Sequence, residues 1–241
     1  MKPTSPLALV SLSLALLVAL PVSAFVLPLP ALLDQLRQRR EESVEIPVVF
    51  EGKLTLGREE GERFVVTARR SVLPEGVCRL EILDGAPEME GAFVIWDGRQ
   101  ARDSGHDGLA HLVTLESIAC PLLAAGSHAP VRIEEVMDRL GVDRSFTGYS
   151  RLDGRVAFLV GGRPWEERPQ VWIDKDEMVP VRAIAQVDAG MADVRLLRYG
   201  DPITGRWYPR TIEVRVNERL VASFTAESLD TQVELSASLF R

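Results

Sequence analysis

The feature that most constrains this chain is the two-residue rhythm of its last third. Ile212, Val214 and Val216 alternate with Thr211, Glu213, Arg215 and Asn217, and Ala222, Phe224 and Ala226 repeat the pattern soon after. A period of two sends alternate side chains to opposite faces of an extended strand, leaving one apolar and one polar face. The segments are separated by short turn sequences such as Gly161-Gly162 and Asp174-Lys175-Asp176-Glu177. Such spacing suits antiparallel hairpins and leaves no room for crossover helices. Strands are expected over residues 156–160, 170–174, 179–187, 193–199, 208–216 and 220–226.

The same rhythm runs through the first half. Val44, Ile46, Val48, Phe50, Leu54 and Leu56 share one phase, with Gly52 where a bulge or bend is expected. Residues 58–61 read as a turn. Phe64, Val66 and Ala68 continue as a second strand, and Cys78, Leu80 and Ile82 as a third. Residues 93–96 form a fourth, followed by the Asp97-Gly98 hairpin signal. Helical spacing occurs in three places. Residues 30–40 follow Leu29 with Leu32, Leu33 and Leu36. Residues 109–119 place Leu112, Leu115 and Ala119 on one side, and Pro121 is expected to end or kink that helix. Ile133, Val136, Met137 and Leu140 form a short amphipathic helix, with Gly141 suited to follow its end.

The sum is an α+β chain, mostly β, with roughly ten or more antiparallel strands and three short helices. A sheet this long must curl, close or split. A curved sheet with an apolar concave face and helices laid against it encloses a pocket. A two-sheet sandwich with helices at one end would fill the same faces. The periodicity is compatible with both.

The N-terminus reads as a secretory signal. Lys2 precedes the apolar run of residues 7–20, Pro21 ends it, and Val22-Ser23-Ala24 supplies small residues at a cleavage site. Residues 1–24 are expected to be removed, leaving 25–241 as a single exported, periplasmic domain. No Cys follows Ala24, so a lipid-anchored form is not expected. The whole chain carries a net charge of −7 and has no basic tract. Nucleic acid and anionic membrane surfaces are therefore poor partners. The two cysteines, Cys78 and Cys120, form an even pair in an oxidising compartment. A bridge between the third strand and the second helix is the favoured arrangement, and two separately buried thiols the other.

Catalytic and metal patterns are missing. His106, His111 and His128 show no metal-ligand spacing and read as solvated loop residues. Gly148-Tyr149-Ser150-Arg151-Leu152 lacks the second glycine of a nucleophile elbow. Gly161-Gly162 is not followed by a helix, and Asp174, Asp176 and Glu177 lack the other ligands of a calcium loop, so both read as solvated turns. A non-enzymatic protein with no cofactor and no metal is expected. Trp96 and Trp172 fall in strands and Trp165 in a loop, either packed or lining an apolar cavity.

Val171-Trp172-Ile173-Asp174-Lys175 followed by Val179-Pro180-Val181-Arg182 resembles a strand–turn–strand of the periplasmic lipoprotein carrier superfamily, the LolA/LolB-like proteins. Leu197-Arg198-Tyr199-Gly200, then Gly205-Arg206-Trp207-Tyr208-Pro209-Arg210 and Ile212-Glu213-Val214, are similar to the strand pair that follows in that family, and the tail from Leu229-Asp230 to Leu239-Phe240 is similar to its ending. The resemblance covers residues 155–240 in detail. It implies an unclosed half β-barrel with a helical lid, whose concave face binds acyl chains. The implied function is a monomeric periplasmic carrier moving acylated lipoproteins or lipids toward the outer membrane, between membrane-bound donor and acceptor proteins. The alternative is a protein-binding module on the same fold, such as a stress sensor or assembly partner. The expected cavity wall is Phe64, Val66, Phe93, Trp96, Trp172, Ile212, Val214 and Phe224. The expected lid residues are Leu112, Leu115, Val136 and Met137. The Cys78/Cys120 pair and the missing anchor cysteine depart from the family's pattern.

Overall fold

The computed structural model describes residues 26–41, 46–57, 62–85, 87–124 and 133–240. The expected signal, the start of the first strand at Val44, the 58–61 turn and His128 lie outside the described residues.

Twelve antiparallel strands form one sheet. They are β1 (Val48–Gly57), β2 (Arg63–Val72), β3 (Cys78–Asp84), β4 (Phe93–Trp96), β5 (Ala101–Asp103), β6 (Thr147–Leu152), β7 (Arg155–Val160), β8 (Gln170–Asp174), β9 (Pro180–Val187), β10 (Gly190–Leu197), β11 (Thr211–Val216) and β12 (Arg219–Asp230). Three helices are described: α1 (Leu29–Glu41), α2 (Ala110–Ala124) and α3 (Ile133–Arg139). The spatial order is β5-β4-β3-β2-β1-β12-β11-β10-β9-β8-β7-β6, with β5 and β6 left as edges. The sheet is therefore an incomplete β-barrel rather than a sandwich.

That order explains why helices interrupt the meander. β1 lies between β2 and β12, so the first and last strands meet at the centre. The chain steps outward by hairpins to one edge at β5. It then crosses one face through α2 and α3 and starts again at the other edge with β6. α2 touches β3, β4 and β5 on one side and β9 to β12 on the other.

The strand rhythm sorts side chains into rows across that face. Val66 pairs with Leu54, Leu54 with Phe224, Phe224 with Ile212, and Ile212 with Leu196. The next row runs Phe64, Leu56, Ala222, Val214, Val194, Ala183, Val171 and Val160. All but Phe64 are buried in one apolar core, and Phe64 packs on its margin. The leucine stripe of α1 (Leu32, Leu33 and Leu36) joins the same core.

Gly52 marks a bulge, with a register shift against β12 between Glu51 and Gly52. A Cβ there would sit 2.0 Å from the Thr225 carbonyl oxygen, so only glycine lets the strands close. Pro121 does not end α2, which runs on to Ala124. Cys120 to Ala124 are all buried, and tertiary packing of this kind outweighs the local cost of a proline. β6 and β5 carry weak strand signals of their own. β6 is half-exposed along most of its length and lacks a clean alternation, and β5 has only three residues.

Registers also define the two ends of the sheet. The turns β1–β2, β9–β10 and β11–β12 lie at one end, because Leu56 pairs with Phe64 and Ala222, and Gly190 with Val187, while the amide of Asn217 donates to the Met191 carbonyl. Gln170 pairs with Ile184, which places the β7–β8 loop at that same end.

Candidate functional site

The residues expected to wall a cavity mostly share a face, and most of them are buried. Val66, Trp96, Ile212, Val214 and Phe224 are buried beneath the helices, together with Leu112 and Leu115 of α2 and Val136 and Met137 of α3. Phe93 and Trp172, expected in the wall, lie on the opposite face. Phe93 and Trp96 are three residues apart on one strand, so they cannot point the same way. Phe93 pairs with Glu81 and takes the Arg79 guanidinium 3.9 Å from its ring centre, on the face away from α2. Trp172 lies between the inward Val171 and Ile173 and packs outward with Ala157 and Leu159, with Arg182 over its ring.

α2 is fixed to the sheet twice. Cys120 is joined to Cys78 of β3, with Cα atoms 6.1 Å apart. About one helical turn earlier, Glu116 Oε2 accepts a 2.9 Å hydrogen bond from the Arg70 guanidinium of β2, and both side chains are fully buried. Burial pushes the Glu116 carboxyl above its ordinary range, and Arg70 pulls it part of the way back. Among the described residues, Glu116 Oε1 and Arg70 Nε have no hydrogen-bond partner. The sequence does carry a signal for this pair. Arg70 stands at a core phase between Ala68 and Val72, and Glu116 follows Leu112 by four on the buried side of α2. Opposite charges at two core positions point to each other.

An open cleft of about 1220 Å³ remains at the end of the sheet that bears the β1–β2 and β11–β12 turns. Leu56, Phe64, Met89, Val216 and Val221 form its apolar surface. Of the expected wall, only Phe64 lines it. Its rim is polar, with Glu62, Glu88 and Asp107 set against Arg219, and His106 and His111 at the start of α2. His111 is not a solvated loop residue: it lies in α2, half-buried. Desolvation, helped by the nearby positive charge of Arg219, holds its imidazole below the ordinary range. The shift favours the neutral ring, which keeps that wall less polar. Asp174 also departs from a solvated turn. It is buried, caps the Asp176 and Glu177 amides and pairs with Arg155, so it organises a hairpin rather than an ion site.

Met89, Val216, Val221 and His111 were not singled out as site residues from sequence. Val216 was legible, being in phase with Ile212 and Val214. Met89 sits in a short 3₁₀ turn (Pro87–Met89) with no periodicity to flag it.

A sheet that opens on one side, with its first and last strands adjacent and helices crossing the concave face, is a specific architecture. Two solved structures, among others, are similar to this chain. One is a LolA superfamily protein from Nitrosomonas europaea (TM-score 0.51, 10% identity, covering 86% of this chain and 96% of that one). The other is a DUF1329 family protein from Desulfovibrio piger (TM-score 0.52, 14% identity, covering 89% and 97%). The chain has the LolA-like fold. No family model and no curated protein matches its sequence. Among the described residues, no helix is long and apolar enough to cross a membrane.

Proposed function

We propose that the LolA-like protein is a periplasmic carrier that holds the acyl chains of a lipid or lipoprotein in the cleft at the β1–β2 end of its sheet. The observation that supports this reading is the cleft itself. Elsewhere on this face the described strand rows are buried under the helices, whereas here Leu56, Phe64, Met89, Val216 and Val221 line an opening of about 1220 Å³. That exceeds the roughly 300–1,000 Å³ of ordinary small-molecule pockets. An apolar floor with a charged rim suits a molecule with a hydrocarbon body and a polar head.

The energetics fit a carrier. Each buried methylene gains about 0.8 kcal/mol over water. A membrane offers the same gain, so exchange between bilayer and cleft is nearly balanced and the chain can be released as well as taken up. In this reading α2 is a fixed wall rather than a movable lid, because the disulfide and the Arg70–Glu116 pair hold it down. Cargo enters and leaves through the open end.

A fluorescent fatty acid titrated into the purified protein tests the reading. Wild type is expected to bind and Phe64→Glu to bind at least about tenfold more weakly, since one charge replaces a large apolar side chain. Equal binding by the two proteins, or none by wild type, would contradict it.

A further inference from the structure

Among the described residues, three large apolar side chains are strongly exposed: Val65 at 54%, Trp165 at 74% and Leu239 at 41%. Two of them lie at the same end of the sheet. Trp165 lies in the β7–β8 loop, and Val65 is near the start of β2, beside the β1–β2 turn. Both sit at the end of the sheet where the cleft opens.

The loop that carries Trp165 is held in one shape. The Arg163 amide donates to Glu166 Oε2 at 2.9 Å, and the Glu166 amide donates back to the Arg163 carbonyl at 3.0 Å. Beneath them, the buried Gln170 side-chain amide donates to the carbonyls of Arg163 and Glu166. Gln170 is fixed in turn by the Trp172 indole N–H, which donates to its Oε1 at 3.1 Å. Gly161 has a φ of +112°, and a Cβ there would meet the Pro169 carbonyl oxygen at 2.4 Å. So the loop is anchored from below while its largest apolar group stands in solvent, with the Arg163 guanidinium 5.8 Å from its ring centre. Folding alone gives no reason to hold an indole there. A preorganised aromatic side chain does lower the ordering cost of binding.

We infer that Trp165, with Arg163 beside it, is an interfacial anchor that sets the open end of the cleft against a lipid bilayer. The choice of a bilayer rests on the acyl-carrier reading, and two further observations favour it over a protein. A stable protein interface needs about 800 Å² of continuous surface per partner, whereas Trp165 and Val65 lie on different hairpins, separated in the sheet by β12 to β9 and β1. A flat lipid surface can touch separated points along one rim. An indole with a neighbouring guanidinium also matches the headgroup layer, where amphipathic rings and arginines settle. The loop's own charges cancel, Arg163 and Arg168 against Glu166 and Glu167. Docking therefore depends on the ring and is insensitive to salt.

Vesicles of phosphatidylcholine and phosphatidylethanolamine, without anionic lipid, provide the test. Wild type is expected to float with the vesicles, with a blue shift of tryptophan emission and quenching by brominated acyl chains. Trp165→Ala is expected to lose about tenfold or more in vesicle affinity and all of the quenching. Its circular dichroism and its affinity for a soluble fluorescent fatty acid should match wild type, since the site is exposed and outside the cleft. Trp165→Phe is expected to recover part of the flotation. If wild type does not float, or floats no better than Trp165→Ala, the anchor is overturned while fatty-acid binding continues to support the carrier. If Trp165→Ala instead loses crosslinks to a protein with vesicle binding unchanged, the loop is a protein contact and the bilayer inference fails. Loss of fatty-acid binding by Phe64→Glu with vesicle docking intact separates the two sites.

Discussion

The two ends of the concave face are built differently. Over β2 and β3, α2 is held by a covalent bond between Cys78 and Cys120 and by a buried ion pair, Arg70–Glu116. At the β1–β2 and β11–β12 end, the same rows of the sheet run out past the helix, and Leu56, Phe64 and Val216 face an opening. The first region has side chains whose removal leaves unpaired charge or slack chain. The second has a half-buried Phe64 beside buried apolar groups that line an open cleft. The contrast teaches that a half-barrel need not be open throughout. One part can be spent on stability (its buried charges are expensive) and the other left for a ligand.

Breaking the stapled region should have the largest effects. Phe224→Glu puts an unpaired charge beneath α2 and is expected to prevent folding, read as loss of the cooperative thermal transition. Arg70→Met alone leaves Glu116 buried without its partner and should cost about 4 kcal/mol in chemical denaturation. The double variant Arg70→Met/Glu116→Leu should recover most of that loss, because a well-packed apolar pair replaces an expensive ionic one. Failure to recover would show that the pair does more than pack.

Cys78→Ser/Cys120→Ser should cost about 3 kcal/mol, because the crosslink closes a long loop (the cysteines are 42 residues apart). Denaturation with and without reductant should give the same difference. At the open end, Phe64→Glu should change stability by about 1 kcal/mol or less while abolishing acyl binding. That reversal of stability and binding effects between the two ends is the sharpest form of the comparison.

The smallest effect is in the pH dependence. The Glu116 carboxyl is raised by burial, so its contribution to stability is full below the ordinary carboxylate pKa and is lost as pH rises through its folded value. Asp193, on the other face, has the opposite sign. Burial pushes it up, but hydrogen bonds and charge from Arg182 and Arg195 outweigh that and hold it low. Its contribution is present above the ordinary value and lost as pH falls. Denaturation midpoints measured across the acid range should show the Arg70→Met/Glu116→Leu protein lacking the decline on the rising side, and Asp193→Asn lacking part of the loss on the falling side.

Much of the sheet was legible because a period of two is a strong signal where one face is buried. Ile212, Val214 and Phe224 fell on the buried face as read. Phe93 and Trp172 did not, because a short strand such as Phe93–Trp96 has too few alternations to fix which face is inward, and Trp172 is one residue out of phase with Val171 and Ile173. Pro121 misled for a different reason: its backbone cost is local, whereas the burial that outweighs it comes from distant strands. The position of the cleft was not legible at all. It depends on where α2 stops covering the sheet, and no residue pattern within α2 encodes which rows extend beyond it. Arg70 and Glu116 were readable as charged residues in core phase, but their pairing needed the crossing of α2 over β2.

The most direct measurement is native mass spectrometry, with lipid extraction, on protein purified without detergent. The account predicts adducts of acyl-containing mass on wild type, stripped by detergent and missing from a folded Phe64→Glu variant. A clean, unliganded mass for wild type, unchanged by added lipid or acylated peptide, would contradict the carrier function and leave the cleft to a protein partner.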